Sequence, residues 1–209
     1  MANLHVLDGA AASKYMKTGG AGTDVDPHIP VHGIDQATAN ANEVVVKSIT
    51  AGETHIGEVG SSGALITVTL SLDTNIYASG DVLADTQEVA GAVRTAAGTG
   101  WIDSIALIDI DDQKAALDLI FFNASTALGT ENAAPDMVDA NGLYYLGTVS
   151  FLAADYVDLG AFSVACRTGL AMRIKGVAAG TSIYVAAISR GTPTHSATGI
   201  TLRIGVSKD

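Results

Sequence analysis

Residues 101–123, WIDSIALIDIDDQKAALDLIFFN, set the strongest limit on how this chain can fold. In the first half Ile102, Ala106, Ile108 and Ile110 fall near one parity, and Ile105, Leu107 and Asp109 on the other. The second half runs through Leu117, Leu119, Ile120, Phe121 and Phe122. Between them residues 111–114, DDQK, form a polar interruption suited to a turn, because Asp side chains accept hydrogen bonds from nearby backbone N–H groups. Two apolar runs around a short acidic turn predict a β-hairpin with at least one face buried, with Trp101 as core at its entry.

The same period recurs along the chain. Over residues 64–72, Ile66, Val68, Leu70 and Leu72 share one face while Leu65, Thr67, Thr69 and Ser71 share the other, the pattern of a half-buried strand. Further strands are expected at 43–49, 55–59, 144–151, 162–167, 170–175 and 183–188. A final pairing sets Ser189 against Ile200, Leu202, Ile204 and Val206 across a polar loop at 190–199. Nine or ten short strands with turn signals between them, and no long 3.6-residue period, predict an all-β fold: a jelly-roll-like antiparallel β-sandwich over residues 41–209. Residues 1–40 differ. Gly19, Gly20 and Gly22 precede Pro27 and Pro30, and the prolines forbid a central strand. This segment is expected to be an extended N-terminal arm whose isolated anchors, Tyr15, Met16, Ile29 and Val31, dock on the body or on another subunit.

Charge and composition narrow the classes of partner. A formal net charge of −11 repels nucleic acid and anionic lipid, so no nucleic-acid partner is expected. With 48% apolar but only 16% charged residues, the surface must be rich in small neutral groups, which suits a protein packed against neighbours. From residue 161 onward Arg167, Arg173, Lys175, Arg190, Arg203 and Lys208 are opposed only by Asp209, giving a basic set of strands. It reads first as a solvated strand face and second as a patch for an acidic neighbour. No segment has the roughly 18 uninterrupted apolar residues of a membrane helix, and the N-terminus predicts no secretion signal. Cys166 is the single cysteine, so no intrachain disulfide can form; its apolar surroundings predict a buried filler.

Candidate chemical clusters are few. Asp109, Asp111 and Asp112 lack the Gly-mediated bend of a calcium loop, and Lys114 would repel a cation, so a solvated turn is expected. His28 and His32 are separated by Pro30, which forbids the helix that would bring them to one zinc ion, although in an extended arm they could still converge with Asp24 or Asp26. His5, His55 and His195 stand alone in sequence. No nucleophile motif or phosphate loop is present, and carboxylate pairs such as Asp155 and Asp158 are common in any acidic protein. No catalytic, cofactor-binding or metal-binding residue is therefore expected.

Residues 15–30 (YMKTGGAGTDVDPHIP), 108–119 (IDIDDQKAALDL) and 188–194 (ISRGTPT) continuing to Leu202 resemble virion proteins of tailed bacteriophages, most nearly head decoration or cement proteins. The resemblance implies a non-enzymatic protein on the phage head surface, made in the host cytoplasm. It also implies a homotrimer with the major capsid protein as partner, without cofactor, nucleic acid or membrane. Residues 1–40 would be the clamp, and Tyr15, Met16, Ile29, Val31, Arg173 and Lys175 the contacts. The competing expectation is a tail or baseplate module that binds host surface polysaccharide through the 191–199 loop.

Overall fold

The computed structural model describes residues 3–7, 13–17 and 62–209. Near the N-terminus β1 (Asn3–Leu7) and β2 (Ser13–Lys17) pair antiparallel, with His5 opposite Tyr15. This hairpin lies within the segment expected to be an extended arm. The remainder of the expected arm, the boundary near residue 40 and the strands expected at 43–49 and 55–59 lie outside the described residues.

The body is an antiparallel β-sandwich of jelly-roll-like character. One sheet contains β3 (Ser62–Thr69), β5 (Thr99–Asp109), β8 (Val157–Asp158), β9 (Ser163–Lys175) and β11 (Ile200–Lys208), in the order β3-β11-β5-β9-β8. The other contains β4 (Val82–Val89), β6 (Leu117–Phe122), β7 (Tyr145–Phe151) and β10 (Ile183–Ser189), in the order β4-β10-β6-β7. Alternating residues of both sheets meet in one core that includes Val68, Leu107, Phe121, Phe151, Val185, Leu202 and Ile204. In β3 the expected parity holds: Val68, then Leu70 and Leu72 beyond the strand, are buried, while Leu65, Thr67 and Thr69 face out. Tyr77 lies in this core too, its hydroxyl accepting from Asp73 N–H at 2.6 Å and placed 3.1 Å from the Leu83 carbonyl oxygen as donor.

The longest strands change phase. In β5, Ile105, Leu107 and Asp109 point inward as one parity, yet Ile102 of the opposite parity is also buried. The reason is a bulge: pairing with β9 slips between Ile102 and Ser104, and one extra residue returns Ile102 to the core face. Strand β10 is buried on both faces. Its outer face is covered by residues 123–138, where Leu128 packs against Val82, Phe122, Ala186 and Ile188, and Leu128 N–H donates to Asp85 at 2.7 Å.

Residues 101–123 do not form the expected hairpin. Strands β5 and β6 belong to different sheets, so residues 110–116 carry the chain across the end of the sandwich. The final pair behaves alike, with residues 190–199 crossing from β10 to β11. Alternation gives each strand a buried face but does not say which sheet supplies its hydrogen-bonded neighbour. Two further expectations fail for local reasons. Cys166 faces solvent from β9 while Ala165 takes the inward position. Trp101 is half-buried, because the bulge leaves it on the outer face, where the Arg173 guanidinium lies 4.8 Å from the ring centroid.

Candidate functional site

The two crossing segments meet. Ile110 N–H donates to the Gly199 carbonyl and Arg190 N–H to that of Ala116, both at 2.8 Å. Asp111 Oδ2 accepts from Ser196 N–H at 2.7 Å and from its hydroxyl at 3.0 Å, although the residues are 85 positions apart. Gly199 is required here: a Cβ at this position would come within 1.9 Å of Asp111 Oδ2.

Beneath this lacing lies a buried polar cluster. Asp109 ends β5 with only 1% of its surface exposed, and His195 of the second crossing segment has 3% exposed. His195 Nδ1 stands 3.8 Å from Asp109 Oδ1 and 3.5 Å from Asp111 Oδ2, and the three donor atoms all lie within 4.8 Å of one another. Asp109 Oδ2 accepts Lys114 N–H at 2.7 Å, but its Oδ1 and both imidazole nitrogens have no hydrogen-bond partner among the described residues. Ser163, paired with Asp109 in the β5–β9 register, carries a fully buried hydroxyl that is also unpartnered. Burial holds the His195 pKa below its ordinary value against the opposing pull of Asp109 and Asp111, so the imidazole is uncharged at neutral pH. Unpaired buried polar atoms of this kind each cost roughly 1–3 kcal/mol.

Two sequence expectations are corrected here. His195 does not stand alone, and residues 109–112 are not merely a solvated turn. Nor is Lys114 set against a cation: its ammonium contacts Asp158 at 2.7 Å and Asp112 at 3.2 Å, and it is the backbone N–H that turns toward Asp109. The hydrogen bond that the Lys114 ammonium donates to Asp158 raises the Lys114 pKa, and the same bond lowers that of Asp158. Sequence spacing carried no sign of the cluster, because its partners come from two distant crossing segments. Alongside, a cleft of about 280 Å³ lies between those segments, lined by Gln113, Lys114, Ala153, Arg190, Thr192 and Pro193. Among the described residues no aromatic ring lines it for stacking on a sugar.

A second unusual region runs along the side of the sandwich. Strand β7 ends one sheet, β8 ends the other, and β7 lies beside β9, tied to it by Arg167, which donates to the Ser150 carbonyl at 3.2 Å and pairs with Asp155. Large apolar side chains are exposed at both ends of these edges: Leu152 (58%), Val157 (59%) and Leu159 (54%), with Phe162, around β8, and Leu143 (89%), with Tyr145, where β7 begins; Leu65, Ile76, Ile110 and Val138 are more than half exposed outside them. Edge strands with apolar side chains are templates for further association. Of the contacts expected from sequence, Arg173 and Lys175 are exposed on β9. Tyr15 and Met16 belong to β2, with side chains outside the described residues, as are Ile29 and Val31. Of the six basic residues toward the C-terminus, Arg167 pairs with Asp155 and Arg190 with Asp118 at 2.7 Å, while Arg173 lies over the Trp101 ring and stays exposed.

No protein-family model matches the chain, and no curated protein is similar to it. Among solved structures it is similar to one of Desmodium yellow mottle tymovirus at 10% identity, covering 92% of this chain and 94% of that one, with a TM-score of 0.26. A marine algae virus of the order Picornavirales gives 14% identity, 91% of each chain and a TM-score of 0.23. The Gx strain of infectious bursal disease virus gives 12% identity over 71% of this chain and 40% of that one, with a TM-score of 0.19. At these TM-scores the likeness establishes neither shared fold nor shared role.

Proposed function

We propose that this chain is a non-enzymatic structural protein of a tailed-phage virion, a decoration or cement protein on the outside of the head. Its sandwich packs against further copies of itself as a homotrimer, while residues 1–40 clamp the major capsid protein. The observation that carries this reading is the apolar edge of β7 and β8. Leu143, Leu152, Val157 and Leu159 gain nothing by facing water, and burial against a neighbouring copy returns about 25 cal/mol for each Å² of apolar surface covered. The resemblance of residues 15–30, 108–119 and 188–202 to phage virion proteins supports the same reading. So does the net charge of −11, which disfavours packing against DNA. Arg173 and Lys175 offer cations to an acidic neighbour.

The test is to determine the mass of the full chain in solution and mix it with empty heads of the phage that encodes it. A trimer that co-sediments with the heads and raises their melting temperature is expected. A chain that ignores heads but adsorbs to host cells or their polysaccharide would replace this reading with the tail-module one.

A further inference from the structure

We propose that Asp109, Asp111 and His195 form a binding site for one divalent transition cation, which fastens the two crossing segments together at the end of the sandwich. The proposal is independent of the virion role. Its first support is the donor set: one imidazole nitrogen and two carboxylate oxygens, a combination suited to Zn²⁺ and its neighbours rather than to the all-oxygen cages of Ca²⁺. The second is spacing. Ligands about 2.0–2.2 Å from a tetrahedral ion lie about 3.3–3.6 Å apart. His195 Nδ1 is already 3.5 Å and 3.8 Å from the two carboxylate oxygens. The third is independent of the acidic cluster: the His195 side chain is 1% exposed and aims an unpartnered Nδ1 between the carboxylates.

An imidazolium shared by the carboxylates would be the alternative, but at 3.5 Å and 3.8 Å neither contact is a hydrogen bond. A cation satisfies Nδ1 and Asp109 Oδ1 together. The surrounding contacts also hold the ligands in place. Lys114 N–H fixes Asp109 through Oδ2, leaving Oδ1 to face His195, and Ser196 orients Asp111 from its own loop. Asp111 is the route of entry, since its side chain is 24% exposed. The three ligands come from the end of β5 and from both crossing segments, so an ion bound here opposes separation of the 190–199 loop from the corner after β5.

The full chain, stripped with chelator, is titrated with ZnCl₂ by calorimetry, and with CoCl₂ to read coordination from the visible spectrum. Expected are saturable binding with tetrahedral Co²⁺ bands and a rise in melting temperature that grows with free Zn²⁺. His195→Gln and Asp111→Asn should abolish the bands, and Ser196→Ala should weaken binding about 10-fold by releasing one ligand's orientation. Circular dichroism establishes that each variant is folded. Asp111→Asn removes the partly exposed ligand, so it keeps the test valid should His195→Gln unfold. Absence of saturable binding overturns the proposal. So does binding that survives both ligand substitutions, which would place it on other histidines such as His5, His28 or His32. Binding of Ca²⁺ but not Zn²⁺ also overturns it.

Discussion

At the crossing end of the sandwich, Asp109 and His195 lie buried with polar atoms unpartnered among the described residues; along its side, Leu143, Leu152, Val157 and Leu159 stand more than half exposed. Each region inverts what the core between them does, where Leu107, Phe121, Val185 and Ile204 are apolar and fully covered. Folding alone rewards the core arrangement and penalises both others. The penalties differ in remedy. The corner needs a small charged partner that fits among three fixed ligands, whereas the edge needs an extended apolar surface such as another protein. The proposed cation and the proposed trimer answer these two requirements separately, and each can be removed without the other.

The core sets the scale for breaking this comparison. Phe121→Ala should cost about 3–5 kcal/mol in urea unfolding, because the ring lies fully buried between the sheets. Next comes the corner. Gly199→Ala places a Cβ on Asp111 Oδ2, and the forced shift should cost about 1–3 kcal/mol while removing stabilisation by Zn²⁺. Equal melting temperatures for this variant and the parent in chelator would show that the crossing segments are slack.

Tyr77→Phe probes an ordinary buried polar group with its partners in place, and should cost about 1–2 kcal/mol by leaving the Leu83 carbonyl without its donor. It also has a signature in pH. Burial raises the Tyr77 pKa to about 12 from an ordinary 10.0, so the unfolded chain ionises first. Stability from this group is complete below pH 10 and is lost as pH rises toward 12, and Tyr77→Phe should flatten that part of the alkaline decline. Smallest in stability is the edge: Val157→Ser with Leu159→Ser should change the unfolding free energy by about 0.5 kcal/mol or less for each substitution. The same pair should abolish self-association in sedimentation velocity. A large loss of stability without loss of association would mean the edge supports the fold instead of an interface.

How much of this was readable in the residues follows from the range of the interactions. Alternation at 64–72 placed Val68, Leu70 and Leu72 correctly, because the two faces of one strand are a local property. Residues 101–123 do not show in sequence that β5 and β6 part, because an acidic turn looks the same whether the chain doubles back or crosses between sheets. Cys166 and Trp101 were misplaced because position in β9 and the bulge near Ile102 decide the faces, and neither leaves a compositional mark. The cluster was invisible for a stronger reason: Asp109 and Asp111 meet His195 only when both crossing segments come together. Lys114, read as an obstacle to a cation, is drawn off by Asp158 from yet another segment. The apolar edge could have been suspected from Leu152, Val157, Leu159 and Phe162 near a short strand, but exposure depends on what fails to cover them.

Hydrogen–deuterium exchange of the full chain, as the trimer and diluted to the monomer, tests the edge assignment most directly. Amides of β7, β8 and residues 152–162 should slow on assembly, while those of β4 at the opposite edge keep their free rates. A trimer whose β7 and β8 amides exchange as fast as in the monomer would contradict the account.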